Sequence, residues 1–172
     1  AKLILLWGSN PACTAIHQMK YINAARNAGA KLVVIDPLFT PTAAKADLYI
    51  QIKPGTDGLL ALGLAKKLIE TQDFDREFVQ NHTFGFEFLC RYLEESDLSP
   101  SKLSSATGVT EQAFSELFKL LKERKPCSAW VGYGFQRHGN SGQNFRAVNA
   151  LMALTGNIGK PGAGVYYLHP GS

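Results

Sequence analysis

Nothing in the 172 residues is apolar for long enough to cross a bilayer as a helix, so no direct membrane insertion is expected. Cysteine is scarce. Cys13, Cys90 and Cys127 form neither a C-x-x-C pair nor a zinc spacing, which suggests neither a disulfide framework nor a metal site. The phosphate-cradling Walker motif is missing, and so is the full G-x-G-x-x-G dinucleotide fingerprint. No Ser-His-Asp or Cys-His arrangement and no internal repeat is present. A strong charge of one sign is also lacking. The net charge is +4, and the basic residues are scattered. Their densest run, 119–125, falls on an amphipathic helical pattern and reads as a solvated face, not a nucleic-acid patch. A mild positive balance does suit a phosphate-bearing ligand. No signal peptide is visible, and the sequence enters a core strand almost at once without a starting Met. It reads as a piece of a longer protein.

What is present is globular: 45% hydrophobic and 19% charged residues, in a length that suits one domain with a real core. The sequence is organised around Leu3-Ile4-Leu5-Leu6-Trp7-Gly8-Ser9-Asn10. Four successive apolar residues predict a strand buried on both faces. Gly8, Ser9, Asn10 and Pro11 stop it, and a helical pattern follows with Ile16, Met19, Tyr21, Ile22 and Ala25 on or near one face. A strand, a small polar turn and a helix open a βα unit, whose turn is where ligands sit in such folds. Gly8 permits close backbone approach, and free N–H groups at a helix start favour an anion. An ordinary tight turn that binds nothing explains the same residues.

Asn27-Ala28-Gly29-Ala30 predicts a helix stop, and Lys31-Leu32-Val33-Val34-Ile35 a second buried strand ended by Asp36-Pro37. An acid there either holds a nucleotide ribose or caps its own loop. Residues 47–52 alternate as a third strand. Lys53-Pro54-Gly55-Thr56-Asp57-Gly58 is a second polar loop. Either Thr56 or Asp57 can cap the buried helix over 59–69, which leaves the other free for a ligand. Residues 71–125 predict short helices at 75–81, 85–95, 99–106 and 110–125, knitted together by Phe74, Phe78, Phe84, Phe86, Phe88, Tyr92, Phe114 and Phe118. Residues 126–132 return to a strand. A third loop follows, in which Gln136, Arg137 and His138 offer donors. A helix over 145–154 precedes a tail that is too rich in glycine for a packed element and reads as a crossing segment.

Taken together, Trp7-Gly8-Ser9-Asn10-Pro11, Val33-Val34-Ile35-Asp36-Pro37 with Thr40, Lys53-Pro54-Gly55-Thr56-Asp57 and the stretch from Leu154-Thr155-Gly156-Asn157 to Gly164 resemble the molybdopterin oxidoreductases. This is the dimethyl sulfoxide reductase and formate dehydrogenase superfamily. The resemblance covers essentially the whole chain. It implies an α/β three-layer sandwich with a mainly parallel, Rossmann-like sheet and an inserted helical segment. Residues 1–155 would form the domain that grips one guanine dinucleotide of a molybdenum or tungsten bis-molybdopterin cofactor, with 71–125 mainly helical and 156–172 leading toward the next domain.

Carried over by position, Gly8, Ser9, Asn10 and Thr14 would line the dinucleotide. Asp36, Pro37 and Thr40 would sit at the nucleoside, and Gly55, Thr56 and Asp57 at the guanine side. Tyr133, Gly134 and Gln136 or Arg137 would reach the pterin and pyrophosphate. Leu38 departs from the pattern, where Arg often follows Asp-Pro. The metal ligand and any four-cysteine iron–sulfur motif would lie upstream, so Cys13 is not a metal ligand. The implied partners are the remaining domains of the parent chain and electron-transfer subunits, with no nucleic acid. Two other classes fit less well. A nicotinamide- or flavin-binding Rossmann domain requires the missing fingerprint. A non-catalytic interaction domain makes the loops mere turns.

Overall fold

The computed structural model describes residues 1–167. Five strands, β1 (Leu3–Trp7), β2 (Lys31–Ile35), β3 (Leu48–Ile50), β4 (Cys127–Val131) and β5 (Gly164–Tyr167), form one sheet in the order β3-β2-β1-β4-β5. Every pairing is parallel, with Leu3 opposite Lys31 on one side and Cys127 on the other. β1 lies in the middle, and all five of its residues are buried. That explains its unbroken apolar run: a central parallel strand meets helices on both faces.

The pleat divides the core. Leu3, Leu5 and Trp7 point toward α3 (Asp57–Glu70) and α8 (Ser141–Leu154), where Leu60, Leu64, Leu68, Val148 and Leu151 meet them. Ile4 and Leu6 point the other way, onto Met19 and Ile22 of α2 (Ile16–Asn27). The result is the expected three-layer α/β sandwich. Four helices, α4 (Arg76–His82), α5 (Phe86–Glu95), α6 (Pro100–Thr107) and α7 (Glu111–Glu123), are inserted between α3 and β4. Asp75 caps α4 through the Phe78 N–H at 3.0 Å, and Thr110 caps α7 through the Ala113 N–H at 3.2 Å. Ser99 precedes α6 without a side-chain cap.

Some local expectations fail for physical reasons. The first helix is broken. α1 (Pro11–Thr14) ends at Ala15, whose φ of −152° is not helical. The break shifts the helical phase, so Ile16 and Tyr21 face solvent while Met19 and Ile22 are buried. In the inserted helices Phe74, Phe86, Phe114 and Phe118 pack against the core, but Phe84, Phe88 and Tyr92 do not and remain exposed. The glycine-rich tail packs more than its composition suggests. Asn157 is buried and accepts the Cys127 N–H at 2.8 Å, and β5 then joins the sheet edge. Residues 168–172 of the expected crossing segment lie outside the described residues. Among the described residues no helix is long and apolar enough to cross a membrane.

Candidate functional site

In this strand order the chain leaves β1 for one face of the sheet and β4 for the other. The carboxyl ends of these two neighbours therefore part around a crevice, the position where open α/β sheets bind ligands. Two glycines shape it. Gly8 turns out of β1 with φ +60°, a left-handed conformation that costs a side chain. Gly132 leaves β4, donates its N–H to the Trp7 carbonyl at 2.9 Å and presses against Gly8. A Cβ on Gly132 would stand 1.8 Å from the Gly8 carbonyl oxygen. Backbone so tightly apposed leaves room above it. A cleft of about 720 Å³ opens there, bordered by Gly8, Ser9, Asn10, Thr14, Asp36, Tyr133 and Gly134.

Those seven residues are half of the positions expected from sequence, drawn from three separate loops. Asn10 turns partly inward: its Oδ1 accepts the Thr42 hydroxyl at 2.5 Å, and Thr42 Oγ1 in turn accepts the Ala12 N–H at 3.0 Å. The anion-ready helix start is therefore partly occupied by the protein's own hydroxyl. Asp36 is buried at the cleft edge. Its Oδ1 accepts the Leu38 N–H at 2.8 Å, so the acid shapes its loop as well as bordering the cleft. Burial raises its carboxyl above the ordinary 3.8, against the lowering effect of that hydrogen bond.

The other expected positions do not border this cleft. The Pro37 carbonyl accepts from Gln51 at 3.1 Å, and Thr40 Oγ1 accepts the Ala43 N–H at 3.1 Å. Gln136 borders a separate cavity of about 210 Å³ with Phe135 and Tyr167, and Arg137 is exposed. Gly55, Thr56 and Asp57 form a second, adjoining group. Thr56 stands at the helix N-cap position without a capping bond, because its hydroxyl donates to the Lys53 carbonyl at 2.7 Å. Asp57 is the first residue of α3 and is buried. Its Oδ1 accepts the Trp7 indole N–H at 2.8 Å. No other side-chain donor meets its carboxylate among the described residues.

Burial is the main reason that the Asp57 carboxyl is raised. The charge of Asp36 adds to the effect, while the Trp7 bond and His138 oppose it.

Sequence reasoning missed several positions. Gln18 and Trp130 border the cleft without lying in a glycine loop, and Tyr166 comes from β5, where no strand was expected. Asn144 is also missed. It is buried on α8, accepts the Gly58 N–H at 3.2 Å and donates to the Gly55 carbonyl at 3.3 Å, which fastens the second loop and the start of α3 to α8. Its one signal is an amide beside an apolar face, and that does not identify a partner 86 residues away. Among the described residues no group of three His, Cys, Asp or Glu could hold a metal ion.

The fold and cleft define a doubly wound α/β unit with a crevice at its switch point. The sequence pattern of the molybdopterin oxidoreductases matches residues 1–169, and the chain belongs to that family. It is similar to Probable oxidoreductase YoaE of Bacillus subtilis, with 38% identity over 95% of this chain and 24% of that protein. Formate dehydrogenase H of Escherichia coli is 33% identical over 95% of this chain and 22% of its own length. Among solved structures, acetylene hydratase from Pelobacter acetylenicus superposes with a TM-score of 0.84 at 27% identity, covering 94% of this chain and 22% of that one. The chain thus spans about a quarter of the curated relatives it matches.

Two outcomes test this geometry. Gly132→Ala forces a Cβ into backbone and should cost about 3 kcal/mol, read as a shift in the denaturant midpoint. Gly134→Ala, where a Cβ meets nothing within 4 Å, should change it little. Equal effects would contradict the close approach.

The second outcome is a pH dependence. The unfolded Asp57 carboxyl titrates near 3.8 and the folded one above it, so its contribution to stability is full below pH 3.8 and is lost as pH rises through the folded value. Asp57→Asn keeps an acceptor for Trp7 and cannot ionise. The stability difference between Asp57→Asn and the parent should swing toward the variant as pH rises from 3 to 7, in paired denaturant titrations. A flat difference would contradict the assignment.

Proposed function

We propose that this chain is the dinucleotide-holding α/β unit of a longer molybdenum or tungsten oxidoreductase, and that the unit runs past the expected boundary at residue 155, because Asn157 and β5 are built into its sheet. The observation that carries the reading is the crevice between β1 and β4, cleared by Gly8 and Gly132 and bordered by one buried acid, Asp36. A bis-molybdopterin guanine dinucleotide suits that chemistry. The Gly8 N–H is taken by the Ile35 carbonyl at 2.8 Å, so the backbone N–H groups left for phosphate are those of Ser9 and Asn10, in a turn with no acid to repel it. Asp36 can accept hydrogen bonds from ribose hydroxyls or from a guanine amino group.

Ser9, Asn10 and Thr14 would line the dinucleotide, with Pro37 and Thr40 shaping the nucleoside end. Gly55, Thr56 and Asp57 would meet the guanine side, Asp57 keeping Oδ1 on Trp7. Tyr133, Gly134 and Gln136 or Arg137 would lie toward the pterin and pyrophosphate.

When bound, the cofactor supplies two-electron redox chemistry on a small substrate. The residues of this chain bind and orient it. The metal ligand, any iron–sulfur cluster and the docking of electron-transfer subunits belong to the rest of the parent, and this chain alone is expected to be inactive. A hydratase shares the fold, which supports assigning cofactor grip to this unit and the choice of reaction to residues elsewhere.

The test is Asp36→Asn in the full-length enzyme. Asn keeps the acceptor for the Leu38 N–H but loses the charge. Losing a charge-assisted bond of about 1.5–3 kcal/mol should weaken cofactor affinity roughly tenfold or more. Guanine nucleotide released by acid per mole of protein should fall, while the denaturant midpoint stays close to that of the parent. Unchanged guanine content, or release of adenine nucleotide from the parent itself, would overturn the reading.

A further inference from the structure

Away from the cleft, α5 and α8 border a second hollow of about 740 Å³. Its walls are mainly apolar. Phe84, Phe88 and Tyr92 stand on one side, and Ala147 and Ala150 of α8 on the other. Phe84 is 99% exposed, Phe88 66% and Tyr92 56%. Scattered exposed apolar residues are ordinary on a protein surface, but three aromatics on one concave patch are not. Phe74, Phe86, Phe114 and Phe118 are packed against the core and Phe78 is half-buried against His82, so these three are set apart by position and not by composition.

The rim is basic. Arg146 borders the hollow and has no acidic partner among the described residues, only the Gln143 side chain at 3.5 Å. A second guanidinium, that of Arg91, lies 5.9 Å from the Phe88 ring centre. Among the described residues no Asp or Glu borders the hollow.

We propose that this groove seats an apolar segment of the parent chain, from outside these 172 residues, carrying a carboxylate that meets Arg146. The inference rests on the reading of this chain as part of a longer protein. Relatives about four times as long supply the occupant, since this chain spans only 24% of one and 22% of another. A covalently attached segment also needs little intrinsic affinity, because its effective concentration at the groove is high. The small side chains of Ala147 and Ala150 let an incoming helix or strand approach α8 closely, and the aromatics close over it. The unpaired guanidinium selects an acid on that segment.

Hydroxyl-radical footprinting of the full-length monomeric enzyme tests this, read by mass spectrometry at Phe84, Phe88 and Tyr92 against the same chain in denaturant. Oxidation should be at least tenfold slower in the native chain. Arg146→Glu should raise it several-fold, and Arg146→Lys should leave it low. Native rates within twofold of the denatured chain would overturn the proposal. So would protection that appears only at concentrations where the chain self-associates, or only on adding another subunit, or that Arg146→Glu leaves unchanged. The parent reading fails separately: an open reading frame no longer than this chain would overturn it, whereas an open groove in a long chain counts against the docking alone.

Discussion

The indole N–H of Trp7 donates to Asp57 Oδ1 at 2.8 Å inside the core, and the Trp7 ring meets Phe135 edge-on at a centroid distance of 6.0 Å. These two contacts join the end of β1, the start of α3 and the loop after β4. Trp7 is fully buried, so neither partner can exchange for water. Removing the indole donor would leave a buried carboxylate short of a bond, a loss of about 1–3 kcal/mol. Asn144 adds a second tie, from α8 to the start of α3, through the Gly55 carbonyl and the Gly58 N–H. The carboxyl edge of the sheet is thereby held as one surface. The crevice between Gly8 and Gly132 depends on that rigidity, because its floor is backbone against backbone.

Strands β1 and β2 were legible because a central parallel strand must be apolar on both faces, and Leu3 to Trp7 and Leu32 to Ile35 leave no other reading. The inserted helices were legible from their periodicity, and the structure adds side-chain caps at Asp75 and Thr110. The nearness of the Gly8 turn and Asp36 was legible because a βαβ crossover sets their strands side by side. Asp57 was not. Its partner lies 50 residues away, and a polar residue at a helix start looks the same whether it caps, binds or bonds an indole. β5 was hidden by its glycines, and its pairing with β4 is a tertiary fact. Phe84, Phe88 and Tyr92 were misjudged because helical spacing predicts burial without saying what covers the face.

Function divides in a similar way. The cleft offers backbone groups, short hydroxyls and one acid, which suits holding and orienting a phosphate-bearing ligand. Among the described residues its acid, Asp36, bonds the Leu38 N–H and no hydroxyl of the cleft. Family membership accounts for the same division: relatives bearing the names of a formate dehydrogenase and a nitrate reductase share this unit, as does a structure named for hydration. A grip on the cofactor can be common to all of them while the reacting centre differs.

The central claim is that the carboxyl edge of β1, β2 and β4 holds a guanine nucleotide. It is tested most directly by titrating the 172-residue chain with guanosine diphosphate and following amide chemical shifts. With most cofactor contacts missing, dissociation constants of roughly 0.1 to 1 mM are expected. The account predicts shifts concentrated at residues 8–14, 36–40, 55–57 and 130–134, with adenosine diphosphate binding less well. Shifts confined to residues far from these loops, or equal binding of the two nucleotides, would contradict it.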